Sequence, residues 1–114
     1  MKFHTIRKLF TTCLILLALS ACASGPYYGA AKIVSEPSGA EVINLKDGSL
    51  LGITPTTVWW KEPTSDQQEI TLRLKLDGYY DKVAPFWLSM RHETQQSALD
   101  SPTLVEASLL RRDN

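Results

Sequence analysis

Residues 70–76 have the sequence Ile-Thr-Leu-Arg-Leu-Lys-Leu, in which every second side chain is aliphatic and the others are polar or charged. Successive side chains of a strand point to opposite faces of a sheet, whereas a helix would scatter these aliphatic residues around its circumference. The stretch therefore predicts a strand with one buried and one solvated face, as is typical of antiparallel sheets.

Shorter runs with strand character flank this stretch. They cover residues 32–35, 40–45, 56–61, 79–88 and 103–110. Turn-forming residues separate them, namely Pro37-Ser38-Gly39, Lys46-Asp47-Gly48, Gly52, residues 63–66 and Asp77-Gly78. The sequence predicts an all-β fold, a small antiparallel β-sandwich or open barrel of about six or seven short strands.

Two segments depart from the strand pattern. Pro85 has no backbone N–H, which restricts its run to a sheet edge or a bulge. Residues 89–102 are polar and predict a long loop, or a helical turn around residues 91–98. Residues 111–114 are expected to form a solvated tail.

Residues 1–21 have the features of an export signal. Lys2, Arg7 and Lys8 precede an apolar run over residues 9–21, which is shorter than the roughly 20 residues that a membrane-spanning helix needs. The pattern favours a cleaved signal helix over a buried core helix or a retained anchor.

The end of this segment, Leu19-Ser20-Ala21-Cys22, resembles the bacterial lipobox. The resemblance implies cleavage before Cys22, a diacylglycerol group on its thiol and an acyl chain on its new amino group. Ala23 and Ser24 follow Cys22, which under the enterobacterial sorting rule implies the periplasmic face of the outer membrane. Several acyl chains give durable anchoring without a membrane span.

Three regions follow from these features: a signal peptide (1–21), a lipidated cysteine with a short linker (22–31) and a β domain (32–114). Gly25, Pro26 and Gly29 disfavour regular structure in the linker. Tyr27 and Tyr28 are expected either at the level of the lipid headgroups or packed on the domain.

Processing changes the charge and the cysteine count. The full chain has 12 basic and 12 acidic residues; loss of the signal would leave nine basic and 12 acidic, a net charge of −3. This balance argues against nucleic acid and against anionic lipid headgroups as partners. Cys13 would be removed and Cys22 capped, so no disulfide is expected within one mature chain.

Turn residues recur in four short motifs of the domain: Pro37-Ser38-Gly39-Ala40, Asp47-Gly48, Leu51-Gly52-Ile53-Thr54-Pro55 and Leu76-Asp77-Gly78-Tyr79. With these motifs, residues 33–88 resemble the PEGA domain, with Ser38 at the position of the family's Glu. The resemblance implies a small, non-catalytic, sandwich-like module of envelope or surface proteins. The residues themselves predict structural turns at Gly39, Gly48, Gly52, Pro55 and Gly78, with positive φ at Gly39 and Gly48.

The mature chain offers little for catalysis. His92 would be its single histidine, with Ser89 or Asp100 as nearby partners, but no nucleophile motif surrounds any serine. No cluster with metal-ligand spacing and no phosphate-binding glycine loop is present. The sequence therefore predicts no enzyme, no metal and no cofactor.

Three aromatic doublets give the best candidate binding surface: Trp59-Trp60, Tyr79-Tyr80 and Phe86-Trp87. In a strand, one ring of each doublet enters the core and the other faces out, unless both faces are covered. Outward rings are predicted at Trp60, Tyr80 and Trp87, as a patch for a protein contact or sugar stacking. The predicted function is a lipid-anchored, periplasm-facing structural or protein-binding module of the cell envelope; the alternative is a lipoprotein that binds peptidoglycan or another glycan.

Overall fold

The computed structural model describes residues 25–113, which form two packed β-sheets and one short helix. The strands are β1 (Tyr27–Glu36), β2 (Glu41–Asn44), β3 (Leu50–Ile53), β4 (Thr56–Glu62), β5 (Gln68–Lys75), β6 (Lys82–Leu88) and β7 (Thr103–Ser108); helix α1 spans Gln95–Asp100. The predicted small all-β sandwich is confirmed, with seven strands in the described range. The predicted signal peptide, the lipobox and Cys22 lie outside it.

The two sheets enclose one hydrophobic core. One sheet has the order β4-β1-β7 and the other the order β3-β2-β5-β6. Leu72 and Leu74 of β5 are fully buried, together with Val42 of β2 and Ile33 of β1 in the opposite sheet. The alternation in residues 70–76 therefore marks the inner face of the four-stranded sheet.

Strand β7 runs parallel to β1, which differs from the predicted antiparallel arrangement. Ile33 pairs with Val105, and the other β1 neighbour, β4, is antiparallel. A parallel pair needs a long crossover between its strands. Here that crossover contains the whole four-stranded sheet and α1, so no local pattern could indicate it.

The domain begins earlier than predicted, because residues 27–31 belong to β1 rather than to a linker. Ala30 and Ala31 are buried. A Cβ atom added to Gly29 would lie 2.6 Å from the backbone oxygen of Ser89 and 2.7 Å from the sulfur of Met90. Glycine in a strand often marks such a close approach of another segment. Residues 89–90 therefore pack directly on the start of β1.

Most of the predicted turns are present. Gly39, Gly48 and Gly78 have φ values of 98°, 75° and 86°. Pro55 lies between β3 and β4, as expected. Gly52 is a correction, because it pairs with Val42 inside β3 and lies against the Thr56 side chain rather than in a turn.

The β2–β3 hairpin is held by local hydrogen bonds. The Ser49 hydroxyl and backbone N–H both donate to the Asp47 carboxylate, at 2.7 and 3.0 Å. These bonds, the hydroxyl first, hold the pKa of Asp47 below its ordinary value.

The polar segment after β6 contains the short helix. Thr94 caps α1 by accepting a hydrogen bond from the Ser97 backbone N–H at 3.1 Å. Pro85 lies in β6, an edge strand, as its missing N–H predicts. The predicted tail, residues 111–114, is not entirely free in solvent, because Arg111 forms a β-bridge with Tyr79. No helix among residues 25–113 is long and apolar enough to cross a membrane.

Candidate functional site

The Trp59-Trp60 doublet is oriented opposite to the prediction. Trp60 is partly buried and packs on the core, with its ring centroid 6.3 Å from that of Phe86 in the other sheet. Trp59 faces out and is 42% exposed. Period two along β4 explains this, because Val58 shares the inner face with Trp60 whereas Lys61 shares the outer face with Trp59.

Tyr80 and Trp87 are exposed, as predicted, but the three-ring patch does not form. Trp60 faces Phe86 across the core, so the neighbouring Trp59 and Trp87 point away from each other, outward from opposite sheets. Two packed sheets lie about 10 Å apart, which adds to the separation of these rings. Tyr80 lies outside the strands, where its backbone N–H donates a hydrogen bond to the Leu110 carbonyl.

The outer face of the four-stranded sheet carries apolar side chains along both of its edges. Its register aligns Leu50, Ile43, Arg73 and Val83 in one row across β3, β2, β5 and β6. The exposed apolar side chains of this face are Leu50, Ile53, Val83 and Trp87, and we call them, with Ile43 and Arg73, the apolar face.

Exposure on this face is high for apolar residues. Leu50 is 60% exposed and Trp87 is 61% exposed. These residues lie on β3 and β6, with the polar side chains of Thr71, Arg73 and Lys75 on β5 between them. Exposed apolar residues on one face can mark an interaction site, and Trp and Arg are over-represented among residues that dominate interface energies. Pro85 blunts the β6 edge against pairing with an added strand. The arrangement suits contact through the face rather than along the edge.

A second aromatic cluster lies on the outer face of the three-stranded sheet. The rings of Tyr28 and Trp59 are 6.0 Å apart between centroids, and the Lys61 Nζ lies 6.0 Å from the Tyr28 ring centroid. We call these three residues the Tyr28 patch. Helix α1 packs on β1 and β4 beside it, and its Ala98 is fully buried. The helix covers part of this face and leaves the Trp59 ring exposed.

A cleft of about 350 Å³ opens between the sheets beside β4 and β5. Trp60 lines it, together with the polar residues Asn44, Gln68, Glu69 and Thr71. An aromatic wall with a few convergent polar groups is typical of small-ligand sites. Trp60 therefore lines this cleft from the inside and does not belong to an outward patch.

His92 does not meet the partners considered from the sequence. Its Nδ1 lies 2.9 Å from the Ser97 Oγ, whereas the Asp100 carboxylate accepts a hydrogen bond from Gln96. The His92 backbone forms a bridge with Tyr28. Within residues 25–113, no three His, Cys, Asp or Glu side chains are grouped to hold a metal ion.

The sequence pattern gave no indication of the buried hydroxyl network at Thr54. Its Oγ1 accepts hydrogen bonds from the backbone N–H groups of Gly39 and Ala40, at 3.1 and 3.0 Å. Ser35 donates its hydroxyl proton to the Pro37 carbonyl at 2.8 Å, so in the 2.7 Å Ser35–Thr54 contact Thr54 is the donor. The feature in the sequence that could have indicated this network is the hydroxyl of Thr54 directly before the turn residue Pro55.

No family model, no curated protein and no solved structure matches this chain.

Proposed function

We propose that this protein is a lipid-anchored, periplasm-facing lipoprotein of the outer membrane that acts as a non-catalytic, protein-binding module of the cell envelope. The likeness of Leu19-Ser20-Ala21-Cys22 to a lipobox supports the anchor. The PEGA-like turn motifs support an envelope module. The observation that carries the binding role is the exposed apolar face of the four-stranded sheet.

The partner that fits this face is a protein with a complementary apolar surface. Leu50 and Val83 lie at opposite ends of one row, with Arg73 between them. Exposed apolar side chains and an arginine that can pair with a carboxylate are common components of a protein contact. The net charge of −3 expected after processing disfavours nucleic acid.

We expect Cys22→Ser to abolish lipidation. Without the thiol there is no acceptor for the diacylglycerol group, and the chain should then leave the membrane fraction or stay uncut. Intact mass measured on that fraction, for wild type and variant side by side, checks this. A wild-type chain that carries no acyl mass would contradict the anchor.

Site-specific photo-cross-linking in cells tests the binding role. We expect a cross-linkable residue at Val83 or Trp87 to give one discrete adduct with an envelope protein, identified by mass spectrometry. Leu104 is the matched control, since it is 57% exposed but lies in the other sheet. Identical adducts from all three positions, or none from Val83 and Trp87, would overturn the proposal.

Glycan binding is the second candidate, and the cleft beside Trp60 favours it. Asn44 and Gln68 carry amides that can hydrogen-bond sugar hydroxyls, and Trp60 supplies an aromatic surface. Co-sedimentation of the full-length protein with purified peptidoglycan, reduced by Gln68→Ala but not by Trp87→Ala, would assign the cleft to this role. If Gln68→Ala and Trp87→Ala co-sediment with peptidoglycan to the same extent, the cleft does not bind the glycan.

A further inference from the structure

We infer that the Tyr28 patch is the surface through which the anchored domain contacts the lipid headgroups. The inference rests on the proposed lipid anchor and adds the orientation of the domain on the membrane. Its partner is the headgroup layer of the bilayer that holds the anchor.

The first step concerns reach. Tyr28 follows Cys22 by six residues, which span at most roughly 22 Å when fully extended. Its backbone is fixed in β1, where it pairs with Lys61 and forms a bridge with His92. A lipid on Cys22 therefore keeps the start of β1 close to the bilayer surface.

The second step concerns composition. Tyrosine and tryptophan are enriched at membrane–water interfaces, because their rings have an apolar body and a polar edge. In the Tyr28 patch these two rings lie 6.0 Å apart, and the Lys61 ammonium lies beside them. A lysine at this position can pair with a headgroup phosphate. Lys32 adds a second exposed positive charge to the same sheet face.

The third step compares the two exposed tryptophans. Trp87 is more exposed than Trp59, so exposure alone would favour Trp87 as the ring in contact with lipid. However, Trp87 lies on the opposite sheet, on a face that carries both an acidic residue, Glu69, and a basic one, Arg73. Trp59 lies on the same face as Lys61 and next to the start of β1. Its position beside the tether and the adjacent lysine therefore select Trp59.

Tryptophan quenching tests the inference on the full-length, lipidated protein. The protein is reconstituted into phosphatidylcholine vesicles that contain lipids brominated near the headgroup. We expect Trp87→Phe to retain the loss of emission seen in wild type, because Trp59 remains. Trp59→Phe should lose most of it, although it keeps Trp87 and, like the other variant, Trp60. Quenching that depends on Trp87 instead, or that is absent in wild type, would overturn the inference.

Two controls separate this outcome from failure of the anchor. Intact mass shows whether the reconstituted protein carries acyl chains, so an unlipidated chain counts against the proposed function and not against the orientation. The Cys22→Ser protein mixed with the same vesicles should show no quenching, because two rings and one lysine are too small a surface to hold the domain alone. Quenching without the lipid would contradict the role given to the tether.

Discussion

Replacing Gly29 with alanine is expected to lower the free energy of unfolding by about 1–3 kcal/mol, the usual cost of overpacking a well-packed site. The added Cβ would lie 2.6 Å from the Ser89 backbone oxygen and 3.1 Å from the Leu88 Cγ. A backbone oxygen cannot move aside as a flexible side chain does, so β1 and residues 88–90 must separate. Thermal unfolding followed by circular dichroism should show a midpoint lowered by roughly 5–20 °C for a domain of this size.

Gly25→Ala is the matched control for this prediction. Gly25 lies just before β1, and an added Cβ there would meet nothing within 4 Å. It should leave the midpoint unchanged. If both alanine variants melt like wild type, residues 88–90 do not pack on β1 as described.

Replacing Thr54 with valine is expected to lower the free energy of unfolding by about 1–3 kcal/mol, the cost of leaving a buried polar group unpaired. Valine has the same shape as threonine but cannot accept the hydrogen bond that the Ala40 backbone N–H donates to Thr54 Oγ1. Ala40 is fully buried, so water cannot replace this acceptor. The Gly39 N–H keeps one acceptor in the valine variant, because it also donates to the Thr54 backbone carbonyl at 3.0 Å. Urea unfolding would measure the effect, provided that the dependence of the unfolding free energy on urea concentration is the same in both proteins.

The control for Thr54 is serine, which keeps the hydroxyl and removes only a methyl group. Thr54→Ser should retain the hydrogen bonds to Ala40 and Ser35 and lose clearly less stability than the valine variant. A serine variant as unstable as the valine variant would show that packing of the methyl group, and not the hydroxyl, stabilises this turn.

The strands with strict alternation were predictable because one face of each is buried. In β5, Leu72 and Leu74 enter the core while Arg73 and Lys75 remain exposed, so the period of the sequence directly reports the fold. The same rule applied to β4 would have placed Trp60 inside with Val58. The prediction at Trp60 was wrong because the doublet was judged without its neighbours.

The start of β1 was not predictable from local pattern. Gly29, Ala30 and Ala31 have little strand propensity and resemble a flexible linker. They are small because residues 88–90 press on one face of β1 and α1 packs on the other. The residues that require this small size are about 60 positions further along the chain, so no local sequence pattern indicates the contact.

The candidate surfaces show the same division. Trp87 and Tyr80 are exposed as predicted, although no pattern used in that prediction decides which ring of a doublet faces out. The row from Leu50 through Ile43 and Arg73 to Val83 depends on a register shift between β2 and β3, which no motif in the sequence specifies. The pairing of Tyr28 with Lys61 likewise depends on which strand lies beside β1.

The parallel pairing of β1 with β7 bears on when an exported chain can fold. About 70 residues separate the paired positions Ile33 and Val105, a high contact order for a small domain. A polypeptide that crosses a membrane with its amino end first delivers β7 after every other strand. Until then β1 has only β4 as a neighbour, and the core lacks Val105 and Ala107. If the chain is exported as proposed, the three-stranded sheet would be completed only after β7 has reached the far side of the membrane.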